Sequence, residues 1–260
     1  MKNKYFISRF YIGFLTLCLL IFGLTGCNKF AGMPLQTDVP YNAGILSNTT
    51  NMTTWDYIKS RGVGQGDSLF AQMYQAIIYS GIDTNIYTQP NKTFIIYTDS
   101  AIFSRTTGKT TASTSCYWGF YKVPGSTGKL AAATSWSQYK GAYIDSLKNN
   151  LLYLITNGLH SFNNIPTTYT DLSPIPLTTP FEIDTTLMPL KSNLSNPNSL
   201  ISFNQSDSNA NFHSIYLNAF RGSKLYTTAT NAFPGIKVRT AGIVTKNGIV
   251  HVIDKVLYYK

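Results

Sequence analysis

Residues 247–257 read Asn-Gly-Ile-Val-His-Val-Ile-Asp-Lys-Val-Leu, and we expect the rest of the chain to be organised around them. Asn247-Gly248 is a turn dipeptide, because both residues tolerate a positive φ and so allow a tight reversal. The run after it is apolar at both odd and even positions, which predicts a strand covered on both faces at the centre of a sheet. We therefore expect the domain to close on its last segment.

Two other segments are predicted to flank this strand. Residues 240–245 precede the turn and predict the other arm of a hairpin. Residues 93–97 form a second strand with apolar neighbours on both faces, after which Thr98, Asp99 or Ser100 can cap a short helical turn. An Asp at such a junction usually accepts backbone N–H groups, so we interpret Asp99 as a cap rather than a catalytic acid.

Helices are predicted early in the chain and strands late. The predicted helices span 53–62, 69–81, 130–133 and 143–154, and the later strands span 200–204, 212–219, 222–227 and 236–239. The predicted caps are Thr53 with Asp56, then Asp67 or Ser68 with Gly81, and finally Asn157-Gly158. This order indicates an α+β fold rather than alternating βαβ units.

Three segments resemble one family, the fasciclin-like (FAS1) domain. Residues 93–102 look like its first signature, 151–155 lie where the family has a Leu-Leu-x-Tyr-His type helix end, and 247–257 look like its second signature. The resemblance covers roughly residues 53–258, with insertions near 105–140 and 167–190. It implies a wedge of two β-sheets flanked by N-terminal and central helices.

The same resemblance implies adhesion or cell-surface interaction, with no catalysis and no cofactor. The family-motif residues that we assign a structural role are Thr98, Asp99, Asn247, Gly248, His251 and Asp254. The chain departs from the family at two points. Tyr97 replaces the usual apolar-Pro step, and Leu154 stands where many members have His beside Tyr, which argues against integrin-type binding.

The N-terminus predicts export and lipid attachment. Three basic residues within 1–10 precede an apolar run over 11–24, and the run ends in Leu24-Thr25-Gly26-Cys27. This pattern is typical of a secretory signal, and its apolar core is too short for an ordinary spanning helix. The quartet resembles the lipobox of bacterial lipoproteins and, with the FAS1 resemblance, indicates a member of the kind found in Bacteroidota. The alternative is an uncleaved anchor with a coincidental Cys.

The lipobox resemblance implies that residues 1–26 are removed and that Cys27 receives diacylglyceryl and a further acyl chain such as palmitate. Several acyl chains hold a protein stably on a membrane. Residues 27–52 then read as a flexible tether, because they are polar, contain Pro and Gly and have no apolar period. We expect an outer-membrane lipoprotein of the cell envelope, and leave open whether it faces the surface or the periplasm.

Charge and cysteine content exclude several other classes. The formal charge is +10, and it becomes +7 once residues 1–26, with three bases and no acids, are removed. The bases are scattered, whereas nucleic-acid binding needs a concentrated basic face, so no nucleic acid is expected. Cys18 leaves with the signal and Cys27 is lipidated. Cys116 is then the remaining thiol, so neither an internal disulfide nor a thiolate metal site is predicted.

The histidines do not predict an active site. His251 and Asp254 project to opposite faces of a strand, and a lone buried His is usually a hydrogen-bonded core residue. His160 and His213 stand isolated in the sequence, and the chain has no serine-hydrolase, metal-hydrolase or phosphate-loop motif. The acids are too thinly spread to name a glycosidase pair. The sequence therefore does not predict an enzyme.

The candidate ligand contacts are aromatic residues within the insertion at 105–140. They are Tyr117, Trp118, Tyr121 and Trp136. Exposed Tyr and Trp are suited to stacking on sugars or anchoring a protein partner, and the alternative is that they pack the insertion onto the domain. Two functions follow. The first is a lipid-anchored binding or adhesion module without catalysis, whose ligand is a cell-surface protein or glycan. The second is an accessory glycan-binding component of an outer-membrane polysaccharide uptake system.

Overall fold

The computed structural model describes residues 48–63, 68–105, 112–165, 167–169, 182–189, 199–208, 212–221, 224–225 and 236–257. The predicted signal, the predicted lipid site at Cys27 and the tether up to residue 47 lie outside these ranges, as do parts of both predicted insertions. Within the described ranges no helix has the length and apolar character needed to cross a bilayer.

Short helices occupy the first part of the described chain and strands the last. The α-helices are α1 (Thr54–Gly62), α2 (Ala71–Ser80), α3 (Asp99–Ile102), α4 (Tyr117–Phe120) and α5 (Ala142–Tyr153), and 3-10 turns lie at Thr84–Thr88 and Trp136–Gln138. The first strands are β1 (Lys92–Tyr97), β2 (Val123–Pro124), β3 (Leu130–Ala131), β4 (Ile155–Asn157), β5 (Thr167–Tyr169) and β6 (Glu182–Thr185). The later strands are β7 (Leu200–Ser208), β8 (Phe212–Arg221), β9 (Lys224–Leu225), β10 (Ile236–Lys237), β11 (Thr240–Val244) and β12 (Gly248–Ile253). The predicted α+β class is confirmed.

The first sheet is built around the last strand. Its order is β11-β12-β1-β4, with β12 antiparallel to β11 and parallel to β1. The parallel register runs from Lys92 opposite Gly248 to Tyr97 opposite Ile253. All six residues of β12 are buried, as expected for a strand with partners on both edges and side chains packed on both faces. The predicted hairpin and buried central strand are confirmed.

The second sheet has the order β10-β8-β7-β5, with β6 also paired to β7 and β9 to β8. Ile201 and Phe203 of β7 and Ile215 and Leu217 of β8 are fully buried. They belong to the same apolar cluster as the central strands and the helices. Each large side chain removed from water in this way contributes about 1.5–3 kcal/mol, so the shared cluster stabilises the packing of both sheets and the helices.

The helix ends show which predicted caps are right. The Thr53 hydroxyl accepts the Asp56 N–H at 3.1 Å and donates to the Asp56 carboxylate at 2.7 Å, as predicted for α1. Gly81 ends α2 with φ 65°, also as predicted. The start of α2 differs, since Phe70 is its N-cap and has no side-chain cap bond. Asp67 lies outside the described residues.

Two other local predictions are wrong. Asn157-Gly158 does not cap α5, because the helix ends with Leu154 as its C-cap and the chain continues directly as β4. Ile155 and Thr156 are β-branched and pair with β1, so sheet formation overrides a longer helix. The expected helix at 130–133 is instead the short strand β3, which pairs with β2.

Candidate functional site

The turn before the last strand is shaped by a close approach rather than by a left-handed backbone. Neither Asn247 nor Gly248 has a positive φ, which corrects the sequence-based reason for this dipeptide. A Cβ at Gly248 would lie 2.2 Å from the Lys92 carbonyl oxygen and 2.9 Å from the Phe94 ring. Only glycine lets the β12 backbone start beside β1 at this distance.

Asn247 ties three distant segments together at this turn. Its Oδ1 accepts the backbone N–H of Thr54 at 2.7 Å, and so serves the first turn of α1. Its Nδ2 donates to the carbonyl oxygens of Tyr87 and Gln89, each at 3.0 Å. The side chain is buried and uses both ends of its amide, so Asn247 acts as a clasp.

His251 lies in the middle of β12 and is fully buried. Its Nε2 donates to the His160 carbonyl oxygen at 2.8 Å, and its Nδ1 accepts the Gly242 N–H at 3.2 Å. These two partners fix the neutral tautomer with the proton on Nε2. Burial lowers the pKa of His251 to about 4, so the ring stays neutral at ordinary pH. Asp254 is exposed beyond the strand end and does not meet it.

His160 is not isolated, in contrast to its appearance in the sequence. Its Nε2 lies 3.0 Å from the Asp184 carboxylate and 3.0 Å from the Asn157 carbonyl oxygen, so this nitrogen carries the proton. The ring stacks on Phe203 with centroids 4.3 Å apart. His160 therefore links the end of β4 to strands β6 and β7. Its buried Nδ1 has no hydrogen-bond partner among the described residues.

Asp99 and Thr98 have the capping roles that the sequence indicates, but on two different helices. The Thr98 hydroxyl accepts the Ala101 N–H and caps α3. The Asp99 Oδ1 instead accepts the Gln72 N–H of α2 at 2.8 Å. Burial raises the pKa of Asp99, and the bond from Gln72 opposes that rise. Asp99 thus serves the helix whose own N-cap, Phe70, lacks a side-chain acceptor.

The four predicted aromatic contacts form an interior cluster. Tyr117, Trp118 and Trp136 are between 2% and 6% exposed, and Tyr121 is half-buried. Trp118 and Trp136 meet edge to face at 5.4 Å, and Tyr117 lies 4.7 Å from Tyr121. A ligand role needs exposed rings, and the burial of Tyr117, Trp118 and Trp136 favours the alternative, in which these residues pack the insertion onto the domain. The physical reason is that burying these large rings between the insertion and the domain is more favourable in free energy than exposing them to water.

One concave surface among the described residues is an open groove of about 510 Å³ beside α1. Met52 and Val63 supply its apolar lining, and Asp56, Lys59 and Lys246 supply its charges. The Lys59 ammonium lies 3.5 Å from the Asp56 carboxylate. We call this surface the α1 groove. The sequence did not suggest it, because Lys246 follows Met52 by nearly two hundred residues.

No group of three or more His, Cys, Asp or Glu side chains in the described ranges is arranged to hold a metal ion. Cys116 is buried, and its thiol donates to the Ser113 carbonyl oxygen at 3.0 Å. The chemistry-bearing groups that the structure brings together are therefore the His160–Asp184 pair in the interior and the charged α1 groove at the surface.

Comparison with known proteins gives matches among solved structures only. No family model matches the chain, and no curated protein matches it. Among solved structures, it is similar to a FAS1 domain pair from the insect cell adhesion molecule fasciclin I, at a TM-score of 0.40 and 13% identity. The match covers 73% of this chain, and the chain spans just under half, 45%, of that structure. This likeness says nothing of what the present chain binds.

Proposed function

We propose that this protein is a lipid-anchored binding module of the cell envelope, of the adhesion type and without catalysis. The anchor is proposed from the Leu24-Thr25-Gly26-Cys27 quartet that follows a basic and then an apolar segment. The resemblance to FAS1 signatures supports the adhesion role. The observation that carries the non-catalytic role is that the reactive side chains singled out in the sequence are engaged in holding the fold.

Three of these side chains illustrate the point. His251 has both ring nitrogens bonded to backbone groups, Asp99 accepts a helix N–H, and the Cys116 thiol is buried against a carbonyl oxygen. A general base or nucleophile must lie within hydrogen-bond reach of a substrate. These groups instead have protein partners, and their removal is expected to lower stability.

The glycan-uptake alternative is not favoured by the position of the aromatic residues. Stacking on a sugar needs an exposed ring face, and Trp118 and Trp136 are buried. We therefore propose that the ligand, whether a cell-surface protein or a glycan, is bound elsewhere on the module.

The anchor is tested by lipid labelling. In cells fed an alkyne-bearing fatty acid, the wild-type protein should incorporate the label and migrate as the processed form. A Cys27→Ser variant should stay unlabelled and unprocessed. Equal labelling of both proteins would contradict an anchor at Cys27, and an unlabelled wild type would contradict the lipoprotein proposal itself.

The binding role needs a separate assay. Beads coated with the mature protein should adhere to cells of the source organism in a saturable way, and soluble protein should compete. Beads coated with heat-unfolded protein are the control. Adhesion equal to that control would contradict an adhesion module. Protease treatment of intact cells decides which face of the outer membrane the protein occupies.

A further inference from the structure

We propose that the α1 groove is the face on which the anchored domain rests against an anionic bilayer. This inference rests on the proposed lipid anchor at Cys27. It adds a second, non-covalent contact with the membrane and thereby fixes which side of the domain points away from it. Three observations support it, namely where the chain enters the domain, which apolar groups are exposed there, and how the charges are arranged.

The chain enters the described domain beside the α1 groove. The Asn48 carbonyl oxygen accepts the Val244 N–H at 2.7 Å, and the Thr50 N–H donates to the Val244 carbonyl oxygen at 2.8 Å. Met52, which lines the groove, accepts the Lys246 N–H at 2.8 Å. The segment that arrives from the proposed lipid site is thus added to the edge of β11 immediately before the groove.

The number of residues between the proposed lipid site and the domain is compatible with contact between this face and the membrane. About 21 residues separate Cys27 from Asn48, and a flexible chain of that length has a root-mean-square span of about 25 Å. Tethering within such a span raises the effective concentration of the domain at the bilayer, so a contact that is weak by itself becomes populated. The entry point favours the side of the domain that carries the groove.

The apolar groups at this face are unusually exposed. Val63 is 62% exposed, and Met52 and Val244 are each 42% exposed. Met52 and Val63 line the groove, and Val244 lies two residues before Lys246, another lining residue. Apolar side chains surrounded by basic ones are typical of protein surfaces that enter the headgroup region of a bilayer. In the headgroup region these side chains would be shielded from water, to which the described fold leaves them exposed.

The charges at the groove favour an anionic partner. Lys59 and Lys246 are exposed, while the groove has a single carboxylate, that of Asp56. Asp56 is already engaged, because Thr53 donates to it at 2.7 Å and this bond lowers its pKa, as do the two nearby lysines. A lysine near an anionic lipid surface is attracted to it electrostatically. A second copy of the chain would instead bring like charges together.

The test places a polarity-sensitive fluorophore on the groove of the full lipidated protein. A Val63→Cys variant carries the probe, and Leu130→Cys is the matched control, because Leu130 is 60% exposed on the separate β2–β3 hairpin. Cys116 is buried in both. In vesicles containing phosphatidylglycerol, emission from position 63 should brighten and shift to the blue relative to phosphatidylcholine vesicles, and position 130 should not change.

Charge variants check the electrostatic part. Lys59→Glu with Lys246→Glu should abolish the difference between the two vesicle types at position 63. Lys122→Glu with Lys129→Glu makes the same change in net charge at exposed lysines outside the groove lining, and should retain the difference.

The possible results separate this inference from the proposed anchor. Failure of the protein to float with any vesicle would contradict the anchor, and the inference with it. Flotation with an unchanged probe at position 63 would overturn the inference alone. A response that is equal in both lipids would refute the anionic contact. A response that disappears when the protein is diluted among vesicles would assign the groove to a second copy.

Discussion

Asn247 and the aromatic cluster around Trp118 and Trp136 are both buried, yet they differ in whether their polar side-chain atoms have hydrogen-bond partners. The Asn247 amide is bonded to three backbone groups from other segments. The indole N–H groups of Trp118 and Trp136 and the Oδ1 of Asn150 have no hydrogen-bond partner among the described residues. Directional bonds position the Asn247 side chain, whereas the volume of the rings positions the two indoles.

This difference predicts different responses to substitution. A bonded buried amide cannot be removed without leaving its partners unsatisfied, which costs about 1–3 kcal/mol for each group. An indole N–H without a partner can be removed at the cost of lost volume alone. The turn at residues 247–248 should therefore tolerate few changes in chemistry or size, whereas Trp118 and Trp136 should tolerate the loss of the indole N–H if the volume of the ring is kept.

The largest effect is expected at Gly248. Alanine there would place a Cβ 2.2 Å from the Lys92 carbonyl oxygen and force β12 away from β1. We expect a loss of about 3–5 kcal/mol in the free energy of unfolding, measured with urea. Gly128→Ala is the control, because its Cβ would have open space and only the positive φ is strained. Its cost should be about 1–2 kcal/mol, and equal costs would show that the close approach is not the cause.

The next largest effect is expected for the clasp. Asn247→Ala leaves the Thr54 N–H and two carbonyl oxygens without their partner, and should lower the free energy of unfolding by about 3 kcal/mol. Asn157→Ala removes an exposed amide that accepts from the Lys92 ammonium, and should cost less than about 1 kcal/mol. A clasp variant as stable as this control would mean that the three bonds contribute little.

A pH-dependent loss of stability is expected from His251. Its pKa is about 4 when folded and about 6.5 when unfolded, so at acidic pH the unfolded chain binds the extra proton. This contribution is complete above pH 6.5 and is lost as the pH falls toward 4. Between pH 7 and pH 5 the loss should be about 2 kcal/mol. His251→Gln should show a shallower dependence on pH, and an unchanged slope would assign the titration to another group.

The smallest perturbation tests whether the aromatic cluster is closed to solvent. The chain has three tryptophans, and Trp55→Phe leaves Trp118 and Trp136 as the emitters. Iodide should quench their fluorescence weakly in the folded protein and several-fold more strongly after unfolding, because both rings are about 95% buried. Strong quenching in the folded state would show that the rings are accessible and would restore them as candidate ligand contacts.

Features decided by neighbours in sequence could be predicted. The Thr53 cap, the Gly81 helix end and the hairpin before β12 all follow from residues within a few positions of one another. The buried central strand could also be predicted, because a strand with apolar residues at odd and even positions must be packed against other elements on both faces. Local spacing and side-chain type contained the necessary information in each case.

Features decided by distant partners could not be predicted. Asn247 forms hydrogen bonds with Thr54, which is 193 residues away in the sequence, and with Tyr87, which is 160 residues away. A single sequence gives no sign of such contacts. The pairing of His160 with Asp184 and the composition of the α1 groove depend on the folded topology in the same way. The aromatic residues show the opposite limitation, since Trp and Tyr suit both a binding surface and a core, and only the fold decides between them.

The parallel pairing of β1 with β12 has a consequence for how the protein is made. Residues 92–97 leave the ribosome long before residues 248–253, yet the two strands are neighbours at the centre of one sheet. Until the last strand emerges, β1 has its β4 edge available for pairing and its other edge open, so the growing chain lacks a complete core. Contacts this far apart in sequence form slowly. The central sheet of the nascent protein therefore stays incomplete until β12 has left the ribosome.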